Sequence, residues 1–253
     1  MHSQNLPLTI YSNVYKNTSV EALYLSSKNL QNDNGNRLLV LIHGFNRFGA
    51  WEHLYPFGYD IWQKGYAVLL PSQLGFGGSG GKADYCGPDT VSSIADLVRN
   101  FAAEDGMHFS KIAVWGASRG AIVSALLIAK YPELFATGIL QAGAYDFNKY
   151  LVYANLDVRI KTNILEESGG SDQALRDRSA ILYAENISCP ILIMHGAEDE
   201  NVPVEQAKLL DRRLTELNKP HRTLILEDAG HRVSSEDNSK KYVFPFLDRI
   251  LQE

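Results

Sequence analysis

The chain has 253 residues, 45% hydrophobic and 21% charged, which is enough for one sizeable core and short for two, so a single domain over 1–253 is expected. A formal charge of -5 supplies no basic footprint, which argues against nucleic acid and anionic membrane as partners and leaves small molecules. Cys86 and Cys189 form no C-x-x-C pair, and no basic N-terminal stretch or membrane-length apolar run occurs, so a cytoplasmic protein with two ordinary thiols is expected.

In chain order, Leu8 to Tyr15 and Val20 to Leu25 read as an antiparallel hairpin joined by the turn-prone Lys16-Asn17-Thr18-Ser19. Short β-branched or apolar runs follow at Leu38 to Ile42, Tyr66 to Leu70, Lys111 to Trp115, Thr137 to Leu140, Ile191 to Met194 and Arg222 to Leu226. Helical periodicity falls between most of them, near Tyr55 to Lys64, Thr90 to Glu104, Ala121 to Tyr131 and Val204 to Leu217, with a last helix near Lys240 to Leu251. This alternation predicts an α/β fold: a mostly parallel central sheet, helices on both faces and the hairpin at one edge. Residues 145–188 break the rhythm with aromatics, charges and Ser168-Gly169-Gly170-Ser171, and read as a small insertion over the sheet, a lid. The sequons at Asn17 and Asn186 read as chance matches in a chain without a secretion signal.

Two G-x-S-x-G motifs occur. Gly116-Ala117-Ser118-Arg119-Gly120 lies between a strand pattern and a helix pattern, the strand-turn-helix context of a nucleophile elbow, where flanking glycines remove Cβ atoms that would clash around a strained serine. Gly77-Gly78-Ser79-Gly80-Gly81 is followed by a loop, so Ser79 reads as a loop residue. The overlapping Gly75-Phe76-Gly77-Gly78-Ser79-Gly80 matches G-x-G-x-x-G, but a dinucleotide turn opens directly into a helix, and here a loop intervenes before Thr90.

A serine hydroxyl needs a base, and the base needs an orienting group, in the chain order Ser, acid, His. The strand ending at Met194 runs into His195-Gly196-Ala197-Glu198-Asp199, and the strand ending at Leu226 runs into Glu227-Asp228-Ala229-Gly230-His231. Ser118 is therefore the expected nucleophile, His231 the general base and Asp199 the acid that holds its tautomer. Glu198, Glu200 and Asp228 compete for the acid's role and read as solvated loop carboxylates. His195 reads as a hydrogen-bonded structural histidine and His43 as a residue shaping the loop after its strand, where backbone N–H groups of Phe45 and Arg119 are expected to face an oxyanion. His2, His53, His108 and His221 have no partner at ligand spacing, so no metal is expected. Phe48, Trp51, Tyr55 and Phe57, together with the aromatics after Tyr145, are candidates for one or two pocket-lining positions, and the Arg119 side chain is expected to pair with an acid.

From Leu38 onward the chain resembles the α/β-hydrolase superfamily. Trp115 to Gly120, the run Ala129-Lys130-Tyr131-Pro132-Glu133-Leu134-Phe135, the lead-in Ser188-Cys189-Pro190, and His195-Gly196 followed by Asp199 and Val202-Pro203 resemble the catalytic domain of the prolyl oligopeptidase family. The resemblance implies a cofactor-independent serine hydrolase with the roles assigned above to Ser118, Asp199 and His231. Three departures stand out: at this length no gating propeller is expected, Ala121 replaces a glycine often found after the elbow, and His43-Gly44-Phe45 resembles the oxyanion loop of small carboxylesterases. A carboxylesterase on small to medium esters is the leading expectation. An amidase or short-peptide peptidase is the enzymatic alternative, and a non-catalytic binding protein the alternative from another class. Oligomeric state is not encoded in any feature of the sequence.

Overall fold

Lys16 and Asn17 both take positive φ, 46° and 63°, so the first hairpin closes through a two-residue turn matched to the right-handed twist of its strands. Pairing therefore resumes at Thr18, two residues earlier than expected: β1 (Leu8–Tyr15) lies antiparallel to β2 (Thr18–Leu25). The structure, a computed structural model, describes residues 7–27 and 36–252. His2 lies outside the described residues.

The other strands are β3 (Asn36–Ile42), β4 (Ala67–Pro71), β5 (Phe109–Ala117), β6 (Thr137–Gln141), β7 (Ile191–Gly196) and β8 (His221–Leu226). They join the hairpin in one sheet of order β1-β2-β4-β3-β5-β6-β7-β8, parallel from β4 to β8, while β2 pairs antiparallel with β4. The apolar runs of β4, β6 and β7 are buried along their whole length, as strands covered on both faces must be. Along β3, Leu38, Val40 and Ile42 enter one core cluster and Leu39 and Leu41 the other, the two-residue period of a strand sorting side chains to opposite faces.

Helices α3 (Pro88–Ala102), α4 (Arg119–Lys130) and α8 (Glu205–Glu216) contribute to the first cluster. The second takes residues of α1 (Ala50–His53), α2 (Tyr59–Gln63) and α10 (Phe244–Gln252). This is the α/β arrangement expected from the alternating pattern, a mostly parallel sheet with helices on both faces and the hairpin at one edge. Two helical runs begin four or more residues earlier than their periodicity suggests. The first starts at Ala50, where Asn46 Oδ1 accepts the Gly49 amide at 2.6 Å and Ser72 Oγ accepts that of Ala50 at 3.0 Å. The last starts at α9 (Glu236–Asn238), capped by Ser235, whose side chain accepts the Asn238 amide. Both runs contain a π turn, Leu54–Gly58 and Ser239–Val243. Pro56 lies within the first and Pro245 just beyond the second, and a residue without an N–H disrupts α-helical pairing there.

Residues 145–188 fold as α5 (Phe147–Leu151), α6 (Val158–Ser168), α7 (Asp172–Arg178) and a 3-10 segment, Ala180–Asn186. The serine-glycine stretch links α6 to α7: Gly169 terminates α6 in the left-handed conformation and Ser171 caps α7. Tyr145, Phe147 and Tyr150 are buried, whereas Tyr153 is exposed. No helix among the described residues is long and apolar enough to cross a membrane.

After β3 the chain crosses to β4 on one side, and after β4 to β5 on the other. The loops leaving β3 and β5 thus flank the reversal of strand order, where a crevice opens beyond the carboxyl ends of the strands. A Cβ on Gly120 would overlap the Ile42 carbonyl at the end of β3, so α4 can approach β3 this closely only through glycine. Gly120→Ala should lower stability by about 1–3 kcal/mol or prevent folding; an unchanged urea midpoint would contradict this packing account.

Candidate active site

The turn from β5 into α4 fixes Ser118 at φ 55° and ψ -123°. A Cβ on Gly116 would collide with the Gly120 carbonyl, and one on Gly120 with that of Ile42, so both flanking glycines are sterically required. The Ser118 amide donates to the Gln141 carbonyl at 2.8 Å. From this turn Ser118 Oγ lies 3.0 Å from His231 Nε2, and His231 Nδ1 lies 2.8 Å from Asp199 Oδ2. With Asp199 ionised, Nδ1 carries the proton it donates, leaving Nε2 to accept from the serine hydroxyl. Residues from three strand ends are brought into one hydrogen-bonded line, as their sequence order suggested.

Asp199 is held by more than its histidine. Its Oδ1 accepts the amides of Asn201 and Val202, each at 2.9 Å. His195 Nε2, fully buried, lies 2.9 Å from the Val202 carbonyl and 3.2 Å from Asp199 Oδ2, so its N–H is shared between the two. His195 is thus the hydrogen-bonded histidine expected from the sequence, with the added feature that one of its acceptors is the acid itself. Burial opposes ionisation of Asp199, but the bonds from His195, His231 and the Val202 amide more than offset it and hold the carboxyl well below the usual carboxylate range. Glu198, Glu200 and Asp228 are all exposed, in keeping with loop carboxylates.

The loop after β3 is fixed by its histidine. His43 Nε2 accepts the Gln73 amide at 3.0 Å, so its N–H is on Nδ1 and donates to the Gly44 carbonyl at 2.7 Å, while Gln73 Nε2 donates to the His43 carbonyl at 2.7 Å. Phe45 and Arg119 both line the cavity that contains Ser118. Among the described residues neither backbone N–H donates a hydrogen bond. The Arg119 side chain turns away into an ion pair with Glu167 of α6 at 2.6 Å, its guanidinium carbon 4.3 Å from the centre of the Tyr85 ring and 5.1 Å from that of Phe76. Burial would lower its pKa, but the neighbouring Cys86 and Glu167 raise it further, so the group stays charged. The acid that pairs with Arg119 is therefore on the segment read as a lid.

Gln141, at the end of β6, is a member of the site that its apolar surroundings concealed. Its side-chain oxygen accepts from Trp115 Nε1 at 2.8 Å and from Ser234 Oγ, and its carbonyl takes the Ser118 amide. A fully buried glutamine thus ties the turn of Ser118 to the loop carrying His231. The available signal was a lone polar side chain closing a buried strand.

The serine of the second G-x-S-x-G motif holds a loop together instead. Ser79 Oγ donates to the Ser72 carbonyl at 2.7 Å and accepts the Glu21 amide at 2.9 Å. No helix follows the Gly75 to Gly80 loop until Pro88, so its glycines do not form a dinucleotide turn. Cys86 and Cys189 are free and buried, and burial pushes each thiol up to about 11. Among the described residues no group of three His, Cys, Asp or Glu could hold a metal. His108 is exposed, and His221 lies on β8 beside Asp211 at 3.3 Å.

Two cavities meet at the site. One, of about 650 Å³, contains Ser118, Arg119, Tyr150, Val202 and His231. The other, of about 770 Å³, has Phe57, Ile61, Trp115 and Phe244 in its walls, and Gly44, Phe45, His53 and Arg232 line both. Of the aromatics singled out, Phe57 is thus a lining residue, and Phe48 and Trp51 are exposed. The side chain of Tyr55 lies outside the described residues.

A model of the prolyl oligopeptidase family matches residues 59–252. The chain belongs to that family. Among curated relatives of this family member, the acylamino-acid-releasing enzyme of Mus musculus is 26% identical over 242 residues, covering 87% of this chain and 32% of its own length. An uncharacterized peptidase of Bacillus subtilis, YtmA, is 23% identical over 181 residues, 70% of this chain and 69% of its own. The chain spans about a third of the length of the first of these. Two solved structures share the fold: the acylaminoacyl peptidase of Pyrococcus horikoshii, at TM-score 0.81 and 17% identity over 98% of this chain and 42% of that one, and an esterase of Pyrococcus furiosus, at TM-score 0.74 and 18% identity over 97% and 92%.

Buried His43 and half-buried His53 set a pH response. Desolvation lowers both His43 and His53 to about 4, whereas in the unfolded chain each binds a proton near about 6.5. Between those values the unfolded state holds more protons, so stability should fall as pH drops from about 6.5 to about 4. Ionised Asp199 stabilises the fold above the usual carboxylate range, and that contribution is lost at still lower pH. Urea midpoints measured from pH 7 to pH 4 should therefore decline, and decline less in His53→Asn; parallel curves would remove His53 from this account.

Proposed function

We propose that this member of the prolyl oligopeptidase family is a serine hydrolase working through an acyl-enzyme, and that its preferred substrates are small to medium carboxylic esters. The observation that carries the mechanism is the line Ser118 Oγ, His231 Nε2, His231 Nδ1 and Asp199 Oδ2, with separations of 3.0 and 2.8 Å. In this reading His231 takes the serine proton as Oγ attacks the acyl carbon, and Asp199 favours the imidazolium that forms. The Phe45 and Arg119 amides receive the developing oxyanion, His231 hands its proton to the leaving atom, and water repeats the sequence to release the acid.

The ester preference draws support from the His43-Gly44-Phe45 loop and from the fold shared with the Pyrococcus furiosus esterase. The second reading, a peptidase or amidase on short peptides, draws support from the family itself and from its relatives, which include an acylamino-acid-releasing enzyme. Either way the substrate is a small molecule or short peptide. The same proposal treats 1–253 as one α/β-hydrolase domain in which 145–188 is an insertion over the site: Tyr150, Ile160 and Asn163 from that segment line the cavity with Ser118. It also assigns the protein to the cytoplasm, where the two free thiols would stay reduced.

A fluorophosphonate probe should label the protein at Ser118, and Ser118→Ala should abolish both labelling and hydrolysis; labelling that survives would sink the mechanism. Asp199→Asn should cost roughly 10³–10⁴ in kcat by favouring the wrong tautomer of His231. Comparing p-nitrophenyl esters with aminoacyl-arylamides decides between the readings, since comparable rates on the two would favour the peptidase.

A further inference from the structure

The charges lining the cavity of Ser118 cancel in pairs, with one exception. Arg119 is neutralised by Glu167 at 2.6 Å, and Arg159 by Asp157 at 2.9 Å. Arg232 lines both cavities where they meet, yet among the described residues it makes neither an ion pair nor a hydrogen bond. In the adjoining cavity the carboxylates of Glu52, Asp60 and Glu236 outnumber the lysines Lys64 and Lys240, and Lys240 pairs with Glu236. The site thus offers one uncommitted guanidinium, in a protein whose overall charge is -5.

Its backbone is fixed although its side chain is exposed. The preceding residue, His231, is bonded to Asp199; the following residue, Val233, is buried; and Ser234 is bonded to Gln141. The guanidinium therefore swings from an anchored point beside the base. The leaving part of a substrate must pass that base, because His231 Nε2 delivers its proton to the leaving atom.

We propose that Arg232 binds a carboxylate carried on the leaving side of the scissile bond, so that the preferred substrates release a product bearing a free carboxylate, such as a hydroxy acid or the C-terminal piece of a short peptide. This rests on the serine hydrolase reading of Ser118 and His231, and it deepens that reading by naming a substrate class. A planar, permanently charged fork suits a carboxylate, and an exposed one acts chiefly on binding.

The test compares butyryl esters of 4-hydroxybenzoate and 4-hydroxybenzamide, which differ in the charge of the leaving part. The ratio of kcat/KM for acid over amide should fall about 5- to 10-fold in Arg232→Gln, through KM, and Arg232→Lys should restore part of it. In the wild-type protein the same ratio should decrease as potassium chloride rises from about 20 mM to about 500 mM, because salt screens an exposed attraction. A ratio unchanged by both substitution and salt, or one that rises with salt, overturns the proposal. So does a carboxylate preference seen only on the acyl side, in hemisuccinate over butyrate esters of 4-hydroxybenzamide. Absence of fluorophosphonate labelling at Ser118 together with hydrolysis of neither ester would instead be a failure of the underlying hydrolase reading.

Discussion

Holding an L-residue at φ 55°, as the chain does at Ser118, costs about 1–3 kcal/mol and persists only where neighbours over-determine it. Here the neighbours are identifiable. Gly116 and Gly120 allow strand, turn and helix to approach without side chains between them, the Gln141 carbonyl takes the serine's own amide, and α4 begins at once at Arg119. The burial of α4 between sheet and neighbouring helices supplies the apolar contacts that offset the strain, since every residue from Arg119 to Ala129 is buried. Strain at one residue is thus held in place by the packing of a whole helix.

The polar groups around that residue follow a second rule, that buried charge must be compensated. Asp199 has donors on both oxygens, and Arg119 has both a carboxylate and aromatic faces. Buried His43 meets the same requirement by staying neutral. Two of the compensating partners come from regular elements, one of them distant in sequence and one close by. Glu167 lies in a helix of the 145–188 segment, and His195 precedes its acceptor by four residues on the far side of a glycine.

The strands were legible because burial on both faces forces apolar runs, and the runs at β4, β6 and β7 lie within one or two residues of the expected bounds. Ser118, Asp199 and His231 were legible because parallel strands deliver their following loops to one sheet edge, so order along the chain carries spatial information. What escaped was cross-chain or local chemistry. The starts of the first and last helical runs depend on caps from Asn46, Ser72 and Ser235, and the π turns accompany prolines inside otherwise helical patterns. Gln141 and Glu167 gain their significance from residues distant in sequence, which no periodicity reveals.

The glutamine at the end of β6 has a mechanical consequence. Because its carbonyl holds the turn at Ser118 while its amide oxygen holds the loop of His231, a displacement of the strand carries both loops with it. Thermal motion at this sheet edge then enters mainly as common-mode drift, moving Ser118 and His231 together, while the differential motion that would change their 3.0 Å separation is damped. A short contact between two loops is thereby insulated from the softest movements of its own scaffold.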